Sequence, residues 1–154
     1  MNKKGQGTIE YLVILAIIVV IALVVVTILS QFTGQGTAIR KQNSDGAWKS
    51  ANPIQIIETQ KVASTGALTL VIKNAGSEGA ITLTNLQLSS TDINTDDINL
   101  SVGQQYTTTL GSTSTCTSGS LFTYPKAGVA ITYNTASITG KVQSAPDDLI
   151  IQCS

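Results

Sequence analysis

Histidine is missing from all 154 residues. Its absence removes the usual general base, the commonest metal ligand and every Ser–His or Cys–His nucleophile pair. Charge is scarce: nine basic and nine acidic side chains cancel, and no basic stripe forms. That excludes the electrostatic footprint of a nucleic-acid binder, so no nucleic-acid partner is expected. Aromatic residues make up 5% of the chain, so any core has to be built from Ile, Leu and Val. The cysteines, Cys116 and Cys153, are too few and too far apart for a zinc knuckle. The expectation from these gaps is a chain that is not an enzyme, with no catalytic residue, no metal and no cofactor.

What little charge there is avoids one region completely. Residues 11–39 carry none, and residues 11–29 are aliphatic apart from Tyr11 and Thr27. About 20 residues at 1.5 Å each cross a hydrocarbon core of about 30 Å. A helix satisfies its own backbone in lipid, so the run reads as a spanning helix rather than a buried strand. Lys3 and Lys4 precede it, and the next positive charges are Arg40 and Lys41. The flanking lysines place the N-terminus in the cytoplasm and the rest of the chain outside. A secretory signal has a shorter apolar core, about 7–15 residues, followed by a small-residue cleavage site. Leu29-Ser30-Gln31-Phe32 offers no such site, which moves any cut to the near side of the run, where Gly5 follows two lysines.

The stretch Lys4-Gly5-Gln6-Gly7-Thr8-Ile9-Glu10-Tyr11-Leu12 resembles the class III signal peptide of archaeal type IV pilins, K-G-Q-x-S-x-E-x-x-x-L. Lys4, Gly5, Gln6, Glu10 and the apolar run carry the likeness. Thr8 stands where the family has Ser, and Leu12 lies near the expected leucine without fixing its register. The resemblance covers about the first 30 residues, and its placement after lysines and before a spanning helix makes it specific. It implies a prepilin peptidase that cuts between Gly5 and Gln6 on the cytoplasmic side. It also implies that Glu10 pairs with an N-terminal amine at Gln6 during filament assembly.

Elementary electrostatics agrees with that implication. Cutting after Gly5 creates an ammonium with a pKa of about 7.7–8. Gln6 and Glu10 are four apart, about 6 Å along a helix axis, so the two charges share a face. A carboxylate in the first turn is also favoured by the helix dipole. The alternative is that Glu10 only caps a membrane anchor at headgroup level.

Beyond Phe32 the helix is expected to continue toward about residue 50, where Asn52-Pro53 ends it. Trp48 is expected to pack under the outer domain, with an interfacial lipid contact as the alternative. From Ile54 the apolar period becomes two: Ile54-Gln-Ile56, Leu68-Thr-Leu70-Val-Ile72, Ala80-Ile81-Thr-Leu83 and Leu86-Gln-Leu88. Ile98 to Val102, Val129 to Tyr133, Ile138 to Val142 and Leu149 to Cys153 follow the same pattern. Asn85 breaks the alternation, which predicts a bulge or a change of sheet. Short strands at this spacing predict an antiparallel Ig-like or Greek-key β-sandwich. The stretch LTLVIKNAGSEGAITLTNLQL is loosely similar to the sandwich strands of archaeal pilins and archaellins.

Other candidate sites each have a plainer reading. In an exported chain the two cysteines pair most simply as one Cys116–Cys153 disulfide, with free buried thiols as the alternative. Asp92, Asn94, Asp96 and Asp97 put oxygens where a calcium loop begins. Asp97 replaces the sixth-position Gly and Gly103 the twelfth-position Glu, so a solvated turn is expected instead. Asp147 and Asp148 are adjacent, unsuited to paired acid–base work, and read as an exposed turn. Asn99-Leu100-Ser101 is an N-glycosylation acceptor pattern facing the exporting side. Residues 107–120, rich in Thr and Ser, read as a solvated loop, O-glycosylated or adhesive.

The expectation is thus an α+β chain: a long N-terminal hydrophobic α-helix followed by an antiparallel Ig-like β-sandwich of the archaeal type IV pilin-like kind. Residues 1–5 form a cleavable leader, 6–51 the helix and 52–154 the outer domain. The resemblance implies a structural pilin that sits in the membrane before assembly, then polymerises with its own copies into a helical surface filament for adhesion. The rivals are an anchored surface binding protein that never polymerises and an archaellin-type filament subunit.

Overall fold

A computed structural model describes residues 6–89, 91–111 and 114–154, the side chains at 6, 8, 32–35, 91 and 94–96 excepted. Helix α1 runs Gln6–Lys49. Nine strands follow among the described residues: β1 Ile54–Lys61, β2 Leu68–Asn74, β3 Ile81–Leu88, β4 Thr91–Leu100, β5 Gln105–Leu110, β6 Leu121–Tyr124, β7 Val129–Thr135, β8 Lys141–Ser144 and β9 Leu149–Gln152. A 3-10 turn, Lys126–Gly128, separates β6 from β7. The chain divides into two compact units, Met1–Ile39 and Arg40–Ser154. The α+β class read from the sequence is the observed one.

Among the described residues all ladders between the strands are antiparallel, in three sheets ordered β1-β2-β5, β4-β3-β7-β8 and β6-β9. Period-two sequences form them because alternate side chains leave a strand on opposite faces. In β2 the inward residues Leu68, Leu70 and Ile72 are buried and the outward ones are not. Buried residues from all three sheets, among them Leu70, Leu86, Ile131 and Ile151, join Trp48 in a single core. Aliphatic residues supply nearly all of it, as the shortage of aromatics requires.

The Arg40–Ser154 unit includes the last ten residues of α1, and two side chains explain why. Trp48 is 1% exposed and belongs to the core, as expected for a residue packing under the outer domain. Ser44 is equally buried; its hydroxyl donates to the Asp148 carbonyl at 2.7 Å and accepts the Ile150 N–H at 3.1 Å. One hydroxyl therefore satisfies two backbone groups that would be costly to bury alone.

Side chains also join the sheets. Gln143 of β8 uses its amide as a surrogate peptide: its Oε1 accepts the Ile54 N–H at 2.9 Å and its Nε2 donates to the Ile54 carbonyl at 2.7 Å. Asn74, fully buried, donates to the Gly79 and Leu100 carbonyls and accepts from the Gly76 N–H. Gly76 has to be glycine, since a Cβ there would sit 2.7 Å from the Pro53 Cβ.

Several loop assignments need correction. Asp92 to Asp97 do not form a turn; they lie in β4, paired with β3. Between the pairs Leu83↔Ile98 and Asn85↔Asn94, β4 has more residues than β3, and Asp97 absorbs the bulge with φ 50°. Asp tolerates that conformation better than most residues. The irregularity expected at Asn85 is therefore a bulge within one strand. The Thr-rich region begins with a strand, β5, before any loop. Ile138 sits in a turn, its carbonyl bonded by the Thr135 N–H at 2.8 Å, and the strand starts later, at Lys141. Asp147 and Asp148 are half-buried rather than exposed.

Candidate functional site

Two features could carry function: the apolar helix with its leader, and the surface of the Arg40–Ser154 unit. In the helix every Ile, Leu and Val from Ile9 to Leu29 is exposed, on all sides. Even the hydroxyls are turned inward. Thr27 Oγ1 donates to the Leu23 carbonyl and Ser30 Oγ to the Val26 carbonyl, both at 2.8 Å, so their donors need no outside partner. A helix apolar all round cannot face water and must be covered by lipid or by other helices. It is the one helix among the described residues long and apolar enough to cross a membrane.

Glu10 is exposed in this helix. With α1 described from Gln6, Glu10 is its fifth residue and lies beyond the first turn. The dipole benefit expected for it is thereby reduced, because that effect fades after the first turn. The Gly5 side of the cleavage junction, and the side chain of Gln6, lie outside the described residues.

In the Arg40–Ser154 unit Cys116 and Cys153 are joined by a disulfide across 37 positions. Cys153 follows β9 and bridges to Lys61 at the end of β1. Lys61, which sequence reasoning passed over, is fully buried. Its ammonium lies 4.4 Å from the Phe122 ring centre and 5.6 Å from that of Tyr124. It also donates to the Tyr124 hydroxyl at 3.3 Å and to the Gly66 carbonyl at 3.4 Å. The aromatic faces and oxygens replace water around the cation. The only signal for this in the sequence was a lysine at the end of a strand rich in Ile.

Asn99 is exposed on β4, its Oδ1 accepting from the Thr82 hydroxyl at 3.2 Å. Asp92 accepts from the Asn85 amide at 3.0 Å. The side chains of Asn94 and Asp96, the other calcium-loop positions, lie outside the described residues. Asp148 holds the Lys126 N–H at 2.8 Å, a structural task. Cys116, Cys153 and Asn99 belong to the Arg40–Ser154 unit, and Glu10 to the Met1–Ile39 unit.

A cleft of about 300 Å³ lies within the same unit, lined among others by Lys41, Asp45, Trp48, Lys49, Glu58 and Thr69. Lys41 and Asp45 pair across one helical turn. The Trp48 indole N–H is buried there without an acceptor among the described residues.

Residues 3–29 match the family model described as Class III signal peptide. No curated protein matches the chain. A signal of this class belongs to type IV pilin-like and archaellin-like secreted subunits, is processed by a prepilin peptidase, and leaves its product membrane-anchored at the cell surface.

Proposed function

We propose that this chain is a structural pilin of an archaeal type IV-like pilus. The leader, residues 1–5, is removed between Gly5 and Gln6. The helix then leaves the membrane as lipid is replaced by the helices of neighbouring copies, and the β-unit is displayed on a surface filament for adhesion. No catalysis is assigned to it. The observation that carries the reading is the helix exposed on every side, apolar all round, from Ile9 to Leu29, which the class III signal match at residues 3–29 spans. Such a helix is soluble only in lipid or in a bundle of its own kind.

A second reading, an anchored surface protein that binds a ligand and never polymerises, draws on the cleft beside Trp48. The two part on processing and assembly. Sheared surface filaments containing this chain, with Gln6 at its N-terminus, support the pilin. Native protein that starts at Met1, or beyond residue 25, defeats it. Gly5→Val is expected to leave the precursor uncut.

A further inference from the structure

Edge strands expose unpaired backbone groups and usually carry a device that stops them pairing with another chain. Most edges of this unit carry one. β1 has a bulge at Ile57, has its first residue capped by Gln143 and its last by the Ser154 N–H. β4 is bent at Asp97 and carries acids. β6 and β8 are only four residues long; Pro125 follows β6, and β8 begins at Lys141, which is paired with Glu78.

β5 carries none of these. Its six residues, QYTTTL, pair with β2 in unbroken register along one side, and among the described residues nothing pairs with the other side. No charged side chain occurs from residue 98 to residue 125. High β-propensity, no charge and no proline form the signature of a segment that joins sheets.

We propose that the β5 edges of two copies pair antiparallel, making one six-stranded sheet from two three-stranded ones. In such a pair the core faces of the two sheets lie on the same side only if the numbers of opposite residues sum to an even value, since a one-residue slip turns every side chain over. The register 106↔110, 107↔109, 108↔108 meets that condition. On the core side it sets half-buried Tyr106 against buried Leu110. On the outer side it sets Thr107 against Thr109, repeating across the copies the hydroxyl pairing that Thr69 and Thr109 make within one copy at 3.1 Å. The contact joins two filaments, or two anchored copies, side by side. It needs only display of the β-unit outside the cell and does not depend on assembly through the helix.

The test uses the processed full-length protein in detergent, where the micelle covers the helix. Opposite Cβ atoms lie about 4.5–5.5 Å apart, within reach of a disulfide after small adjustment. Thr107→Cys protein mixed with Thr109→Cys protein is expected to give an interchain disulfide under mild oxidation, confirmed by mass spectrometry of the linked peptides. Each variant alone should give about tenfold less. Thr107→Lys/Thr109→Lys, at two exposed positions, should abolish the wild-type dimer while leaving the far-UV spectrum intact. No cross-link in the mixture, equal cross-linking of either variant alone, or undiminished dimer in the lysine variant overturns the proposal.

Discussion

Ile, Leu and Val build both halves of this chain, to opposite ends. In the Met1–Ile39 unit they point outward on all sides of a helix; in the Arg40–Ser154 unit they point inward from alternate strand positions. Leu23 is 63% exposed and Leu70 is 0% exposed. The first unit leaves its apolar surface to be covered by other molecules, whereas the second covers its own. A side chain's contribution is therefore to association in one unit and to folding in the other. The same substitution should register in different experiments.

The largest effect is expected at Glu10. If it neutralises a Gln6 amine between copies, Glu10→Gln leaves a desolvated ammonium unpaired, a loss of about 3–5 kcal/mol at each addition of a subunit. Processed protein should then accumulate in the membrane with no filaments outside, as seen by electron microscopy and N-terminal sequencing. If Glu10 only caps an anchor, the change costs about 1 kcal/mol or less, and filament numbers stay normal.

The comparison is sharpened by two leucines. Leu70→Ala should lower the unfolding free energy of the β-unit by about 2–5 kcal/mol, through lost burial and the cavity left behind. Leu23→Ala should leave that quantity within about 0.5 kcal/mol of wild type, because the side chain touches no core. Denaturant titrations of both proteins in detergent decide it, and a comparable loss from both would end the distinction drawn between the units.

Next comes the disulfide, which restrains only the second unit. Replacing Cys116 and Cys153 by Ala should cost the β-unit up to about 4 kcal/mol, from the entropy regained by a loop of this length in the unfolded chain. Filament assembly by a variant that still folds should be unchanged.

The smallest effect belongs to the surface. A hydrogen bond from Lys141 to Glu78 at 2.9 Å holds the lysine above its ordinary value of 10.5, against a smaller opposing pull from burial. A pKa raised in the folded state stabilises below the unfolded value, and that stabilisation disappears as pH rises through the folded one. The wild-type advantage over Glu78→Gln should thus be slight at neutral pH and vanish above about pH 10.5. Thermal melts at several pH values measure it, and an advantage that grows with pH would reverse the sign.

Legibility followed the strength of the local pattern. β1, β2 and β7 were readable because Ile, Leu and Val alternate with polar residues, and β9 as a short aliphatic run. β5 was missed because a strand whose middle is Tyr-Thr-Thr-Thr resembles a polar loop, and β6 because four residues give little period to see. Ile98–Leu100 of β4 was readable as strand, but Asp92 to Asp97 was read as a turn because Asp and Asn favour turns locally, and pairing with β3 outweighed that preference. At the N-terminus the signal, the uncharged run and the position of Glu10 were all readable, since each is a property of adjacent residues. The dipole argument for Glu10 weakened only once Gln6 to Ile9 were found to be helical ahead of it.

The sequence by itself determined that residues 11–29 form an apolar helix in need of a covering, that the Lys-Gly-Gln junction of a class III signal stands before it, and that several later segments form strands with one buried face. Those follow from composition and periodicity, which act over a few residues. Only the tertiary structure decided that Ser44 serves Ile150 across 106 positions, that Gln143 clasps Ile54 across 89, that Lys61 lies against Phe122, and that β5 is an open edge. Each of these depends on which strands become neighbours. Strand order is set by the joint packing of all the sheets around one core, and no local pattern encodes it.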